Sequence, residues 1–181
     1  MPTKEEILTE TAKALTRNPN ASLAELAQEI GIGRTTLHRH FPKRDDLLKE
    51  LALYSMQLID EVLEPLNTQP DLTAYDAIHA MFKVLVPMGE HFHFLSLEFS
   101  VMKDEAITKE YQRQRDELKT MVQWAQDEGA IALDMPTVWV VHVIDSLIYS
   151  TWDAIESGDI ARNEGAKLAF RTLMKGVGNK S

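Results

Sequence analysis

Between Ser22 and Phe41 the chain reads SLAELAQEIGIGRTTLHRHF, two short helical patterns parted by Gly31. Ser22-Leu-Ala-Glu25 is a capping box: the serine accepts from a free backbone N–H and the glutamate reaches back to the cap. Leu23, Leu26, Ala27 and Ile30 follow on one face, and Gly31 stands where a left-handed residue closes a helix cheaply. The second pattern runs from about Arg34 to His40. It is too short to hold as a helix by itself, so it must dock through Ile32, Leu37 and Phe41. Ala27 is small where two helices have to cross closely. The whole is a helix-turn-helix pattern, and it commits this part of the chain to helical packing.

The remainder repeats the helical period. Thr3-Lys-Glu-Glu6 is another capping box, with Leu8, Ala12 and Leu15 behind it, and Asn18-Pro19-Asn20 stops that helix. After Pro42, Asp45 and Asp46 suit the positive end of a long helix with a stripe of Leu47, Leu51, Tyr54, Leu58 and Val62, ending near Pro65. A linker over 67–71 leads to Thr73, which restarts a helix that Pro87-Met-Gly89 interrupts. HFHFLSLEF (91–99) alternates like a strand at first but places Phe92, Leu95, Phe99 and Met102 on one helical face, and helix is the favoured reading. Further helices are expected from about Ile107 to Gly129, from Pro136 to Glu156, and from beyond Gly158 to near Gly178. The fold class is all-α.

Charge separates the two ends. The formal net charge is −9, yet Ile30–Arg44 holds Arg34, Arg39, Lys43, Arg44, His38 and His40 with no acid among them. Residues 1–50 are close to neutral and residues 51–181 carry the excess of acid, so only the short basic stretch suits a phosphate backbone. Arginine can fork onto guanine, threonine can meet a thymine methyl or a phosphate, and flanking cations fix the register. The bland alternative is a solvated helix face. There is no cysteine, which removes disulfides and thiolate sites and agrees with a reducing interior. The N-terminus lacks the pattern of a signal peptide, and the most apolar run, WVVHVI, is too short to span a bilayer. A cytoplasmic protein without a membrane partner is expected.

SLAELAQEIGIGRTTLHRHFPKRDDLL resembles the N-terminal DNA-binding module of the tetracycline-repressor (TetR) family, and AQDEGAIALDMP (125–136) is similar to that family's turn into its closing helix pair. The resemblance implies an N-terminal three-helix DNA-binding domain over 1–46 and a larger helical ligand-binding and dimerisation domain over 47–181. It implies a homodimer, double-stranded DNA and an unidentified small-molecule effector as partners, no cofactor, and a repressor function rather than an enzyme. Carried onto this sequence, Arg34, Thr35 and Thr36 take positions near bases or phosphate. His38 stands where a phosphate-contacting tyrosine is usual, Arg39 is suited to base reading, and His40 stands where the family often has an aromatic residue or a histidine. Lys43 and Arg44 extend the patch along the phosphates, and Gly33 replaces the usual Ser or Thr cap. The alternative is a small-molecule- or partner-binding helical module without operator recognition.

The acidic part offers a second set. His142, Asp145, Ser146 and Tyr149 fall at i, i+3, i+4 and i+7, with Trp152 extending them, so one polar stripe is expected on an apolar helix. A stripe on one helix does not supply nucleophile, base, orienter and oxyanion hole, so catalysis is not the reading. It either bonds across a helix interface or faces an apolar pocket with a few polar groups. For a pocket, the candidate ligand-binding residues are Phe94, Glu98, Trp124, His142, Asp145, Tyr149 and Trp152, with Phe92 and Phe99 as further walls; Glu98 and Asp145 beside aromatic rings would favour a cation. On a helix the members of His38-x-His40 and of His91-x-His93 point apart and make no chelate unaided, so ordinary surface or pocket histidines are the favoured reading; on a strand His91 and His93 would share a face, with Glu90 or Glu98 to help. Trp139, Val143, Ile148, Leu168, Phe170 and Leu173 offer the apolar surface for a dimer.

Overall fold

The computed structural model describes residues 2–67, 69–91 and 101–178, and everything below concerns these. They form eight α-helices: α1 (Lys4–Arg17), α2 (Leu23–Glu29), α3 (Arg34–His40), α4 (Arg44–Asn67), α5 (Ala74–Leu85), α6 (Glu105–Asp127), α7 (Thr137–Glu156) and α8 (Arg162–Val177). No strand occurs among the described residues; an isolated antiparallel bridge joins Ile131 to Gly178. The chain divides into two compact units. One holds residues 2–58, 90–91 and 101–111, the other 59–67, 69–89 and 112–178.

The first unit is built on the helix-turn-helix and extends well past residue 46. Both sequence-read capping boxes are formed, with Glu6 N–H donating to Thr3 Oγ1 at 3.1 Å and Glu25 N–H to Ser22 Oγ at 3.3 Å. Gly31 closes α2 at φ +73°, a conformation that costs an L side chain roughly 1 kcal/mol or more. Ile7, Leu8, Leu15, Leu26, Ala27, Leu37, Phe41, Leu47, Leu51 and Met56 form one buried core with Val101 and Ile107. The first half of α4 is its centre. Lys49 Nζ lies 2.9 Å from Asp104 Oδ2, while Asp104 Oδ1 accepts from Ala106 N–H at 3.1 Å and so caps α6. The pair shifts both groups: the bond to Asp104 raises Lys49, and the bond to Lys49 lowers Asp104. Ser55, fully buried on α4, shares a hydrogen bond of 2.8 Å with Nδ1 of buried His91, beside the Tyr54 ring.

In the second unit α5, α7 and α8 enclose Ile78, Phe82, Val140, Ile144, Ile148, Ala169, Phe170 and Leu173. His79 stacks on Phe170 with centroids 4.5 Å apart, and burial lowers its pKa. The α6–α7 turn hangs on one side chain. Gln126 donates through Nε2 to the carbonyls of Ala132 (3.2 Å) and Met135 (2.8 Å) and accepts from Thr137 Oγ1 (2.9 Å). α4 runs two residues beyond Pro65, a small difference because a proline in the last turn disturbs only the bond back toward residue 61. The helix read over 91–99 falls, from residue 92 on, outside the described residues.

Candidate nucleic-acid interface

α3 is seven residues long and is held by its inner side alone. Leu37 is fully buried, and Phe41, which caps the C-terminus, is buried too. With those two turned inward, helical geometry leaves Arg34, Thr35, His38 and Arg39 exposed and Thr36 and His40 half-buried at the edges. Gly33 at the N-cap offers no side-chain bond, as its identity requires. Lys43, just beyond, is exposed. Among the described residues the side chains of Arg34, Arg39 and Lys43 enter no ion pair or hydrogen bond, whereas Lys4, Lys13, Arg17 and Lys49 of the same unit are each paired with an acid. A short, unneutralised cationic face backed by a rigid core is what docking into a major groove requires.

Arg44 does something other than the sequence suggests. It is half-buried, and its guanidinium donates through Nε to the carbonyl of Ala21 (3.0 Å) and through Nη2 to that of Pro19 (2.7 Å). The side chain therefore braces the α1–α2 loop against the start of α4. Arg44→Ala should lower the unfolding free energy by about 1–2 kcal/mol, since charged donors to carbonyls are lost. Arg44→Lys should recover only part of this, because an ammonium cannot reproduce the planar fork. Urea unfolding of the three proteins checks the order. Lys4 is a cation that no sequence pattern singles out. Its Nζ sits 5.7 Å from the Phe41 ring centroid and pairs with Glu50, placing a further charge at the end of α3.

The expected polar stripe on α7 is divided. At 100° per residue it straddles the edge of the helix's buried side, so its members face two ways. His142 and Ser146 are exposed, with Ser146 Oγ returning to the His142 carbonyl at 2.8 Å. Asp145 and Tyr149 are half-buried and Trp152 is 7% exposed. Asp145 Oδ2 lies 3.1 Å from Arg115 Nη1 of α6; burial pushes its carboxyl up, against the opposing pull of Arg115 and His142. The Tyr149 and Trp152 rings are 6.4 Å apart. Trp124 is exposed, and its Nε1–H donates to Glu128 Oε1 one turn on, at 2.8 Å. Phe92, Phe94, Glu98 and Phe99 lie outside the described residues. Of the apolar set read as dimer surface, Ile148, Phe170 and Leu173 are buried within the chain's own core, while Trp139 is 57% exposed beside exposed Val138. Among the described residues no group of His, Asp or Glu could hold a metal ion, and no helix is long and apolar enough to cross a membrane.

Comparison with known proteins agrees with this geometry. The sequence model of the bacterial regulatory proteins of the tetR family matches residues 16–51, the span from the end of α1 into α4. The HTH-type transcriptional repressor LfrR of Mycolicibacterium smegmatis is 24% identical over 176 residues, covering 97% of this chain and 90% of that protein. The HTH-type transcriptional regulator NfxB of Pseudomonas aeruginosa is 21% identical over 177 residues, covering 97% and 94%. The crystal structure of LfrR from Mycobacterium smegmatis in complex with proflavine superposes with a TM-score of 0.79 at 22% identity, over 96% of this chain and 95% of that one. At that identity the superposition speaks for the fold; the helix-turn-helix match and the curated relatives speak for regulators rather than enzymes. Over residues 16–51 the chain matches the bacterial regulatory proteins of the tetR family, and along nearly its whole length it is similar to two helix-turn-helix regulators.

Proposed function

We propose that the protein is a cytoplasmic, ligand-responsive repressor that binds a pseudo-palindromic operator as a homodimer. Residues 1–46 would read DNA, and residues 47–181 would hold the effector and the partner subunit. The observation that supports this best is the unneutralised cationic face of α3 on an otherwise acidic chain. Arg34, Thr35, Thr36, His38, Arg39 and His40 face the groove in this reading. Lys43 meets phosphate, and Arg44 keeps the loop beneath them in place. Exposed Val138 and Trp139 on α7 supply apolar surface for the second copy. Two-fold symmetry then sets half-sites about one helical turn apart or slightly more. For LfrR the bound molecule is proflavine; for this chain an organic small molecule in the larger part is the corresponding effector.

Selection from random double-stranded DNA at near-physiological salt tests the reading. A two-fold symmetric motif is expected. No enrichment by folded, ligand-free protein would leave a helical binding module without operator recognition. On the selected site, Arg39→Ala should cost about 1–3 kcal/mol and relax preference at one position of each half-site. Lys43→Ala should weaken specific and random DNA alike and reduce the salt slope by about 1. Equal effects of both changes on both kinds of DNA would refute that division of roles.

A further inference from the structure

A groove bordered by glutamates is ordinarily just solvated surface, and the one beside α1 needs more than its outline to count as a site. Here the floor is an uncovered edge of the core. Ile7, Ile30, Ile32 and Tyr54 line a depression of about 660 Å³ formed by the start of α1, the α2–α3 turn and α4. Among the described residues four partly buried apolar side chains pack against the core of this unit, and three of them, Ile30, Ile32 and Tyr54, meet in this groove. Apolar residues scattered over a surface need no explanation; a set gathered in one concavity does. The Tyr54 hydroxyl shares a hydrogen bond of 3.2 Å with Thr9 Oγ1, which fixes the ring against α1. Along the rim stand Glu5, Glu6 and Glu10, all exposed. Glu6 accepts from the Thr3 N–H as part of the cap, and Glu10 pairs with Lys13 at 2.7 Å. The Glu5 side chain enters no ion pair or hydrogen bond among the described residues. The unit that carries a cationic face on α3 thus carries an acid-rimmed apolar groove beside α1.

The shape of the groove decides the kind of occupant. Sites for small molecules enclose about 70–90% of their ligand. Around this groove only Ile7 is buried and the other lining residues are half-buried or exposed, so a small molecule lying in it would stay wet on one side. A side chain presented by another polypeptide brings its own cover, because the partner's surface closes the groove from outside. We propose that this groove docks a cationic segment of a partner protein. The segment sets an aliphatic or aromatic side chain onto Ile30, Ile32 and Tyr54 and a lysine or arginine beside Glu5. The apolar contact supplies most of the affinity, and the rim selects the sign of the partner's charge. None of Arg34, Thr35, His38 and Arg39 lines the groove, so docking leaves the α3 face available to DNA.

Random dodecapeptides displayed on phage are selected against the full-length protein, and the enriched peptide is synthesised with a fluorophore and titrated by polarisation. Enriched sequences should combine Lys or Arg with Leu, Ile, Phe or Trp and carry net positive charge. Glu5→Lys should weaken the peptide about tenfold or more, because it sets like charge against like at the rim. Glu164→Lys, the same change of charge on α8 of the other unit, should alter it less than about twofold. Thr9→Trp places bulk in the groove from its α1 wall and should weaken the peptide about tenfold with the urea midpoint unchanged. Acidic enriched sequences, no enrichment, or a cationic peptide indifferent to both Glu5→Lys and Thr9→Trp would overturn the proposal, as would equal loss in Glu164→Lys. Displacement of the peptide by n-hexylamine at comparable concentration would give the groove to small amines and overturn it too. So would self-association of the parent that Glu5→Lys abolishes, which would give the groove to a second copy of the chain.

Discussion

Gly89→Ala should destabilise the protein by about 2–3 kcal/mol and lower its Tm by roughly 5–10 °C. The residue lies at φ −59°, ψ −27°, an ordinary helical conformation, so no backbone restriction demands glycine there. On propensity alone alanine would be worth up to about 1 kcal/mol in its favour. Space reverses the sign. A Cβ on residue 89 would fall 1.7 Å from Trp152 Cγ, 2.0 Å from Cδ1 and 2.3 Å from Cβ. These atoms are the root of the indole, and moving them means moving the ring or the α7 backbone behind it. Trp152 is 7% exposed and closely surrounded, so its ring has no free direction.

The steric account makes a second claim that separates it from general intolerance at this position. In a Trp152→Ala background Cγ and Cδ1 are gone and only the Cβ at 2.3 Å remains, so Gly89→Ala should destabilise clearly less than it does in the parent. Urea unfolding of the four proteins of that cycle gives the coupling directly. Equal destabilisation by Gly89→Ala in both backgrounds would mean that the indole is not the reason for the glycine.

This contact also shows where the sequence could and could not be read. Pro87-Met-Gly89 is legible as an interruption, because proline and glycine act on their own backbone. That Gly89 lies beneath Trp152 depends on residues sixty-three positions apart, and no local pattern carries it. The same boundary runs through the site. Capping boxes, the Gly31 turn and the inward Leu37 and Phe41 are local devices, and the helix-turn-helix follows from them. Arg44 looked like one more cation in a basic run; its partners, the Ala21 and Pro19 carbonyls, become neighbours only once α1, α2 and α4 pack. On α7 the spacing put His142 through Trp152 along one side of the helix, yet His142 and Ser146 are exposed while Trp152 is buried. The buried boundary passes through the middle of that side, and its position is set by what packs on α7, Arg115 against Asp145 and Gly89 against Trp152 among them. Ile148, Phe170 and Leu173 are apolar enough for a dimer face, and a single sequence does not say whether such residues meet their own chain or another copy.

His91 should make stability depend on pH below neutrality. Burial, with Lys13 adding to it, lowers its pKa from an ordinary value near 6.5 to about 4. Around the ring stand Ser55 Oγ, the Tyr54 ring and the charge of Lys13, and burial together with that charge outweighs what the hydroxyl and the ring offer an imidazolium. The folded state thus holds the neutral form, while the unfolded chain takes up a proton from about pH 6.5 downward. Between the two pKa values the unfolded state binds more protons, so stability rises with pH. The contribution is fully present above about pH 6.5, falls through the interval, and is gone below about pH 4. Its full size is about 3 kcal/mol, from a shift of some 2.5 units at 1.36 kcal/mol each. Carboxylates also titrate toward the lower end, so the informative quantity is a difference. His91→Gln keeps a polar partner for Ser55 and cannot titrate. The unfolding free energy of the parent should fall by about 3 kcal/mol relative to this variant between pH 7.5 and pH 4, and a difference constant across that range would show that His91 is already solvated in the folded protein. Because the ring is bonded to α4 within the unit that carries α3, operator affinity offers a second readout. A parent that weakens on DNA as pH falls toward 5 more than His91→Gln does would tie protonation of this histidine to the integrity of the DNA-reading unit, since the same nucleic acid and the same exposed His38 and His40 are present in both proteins.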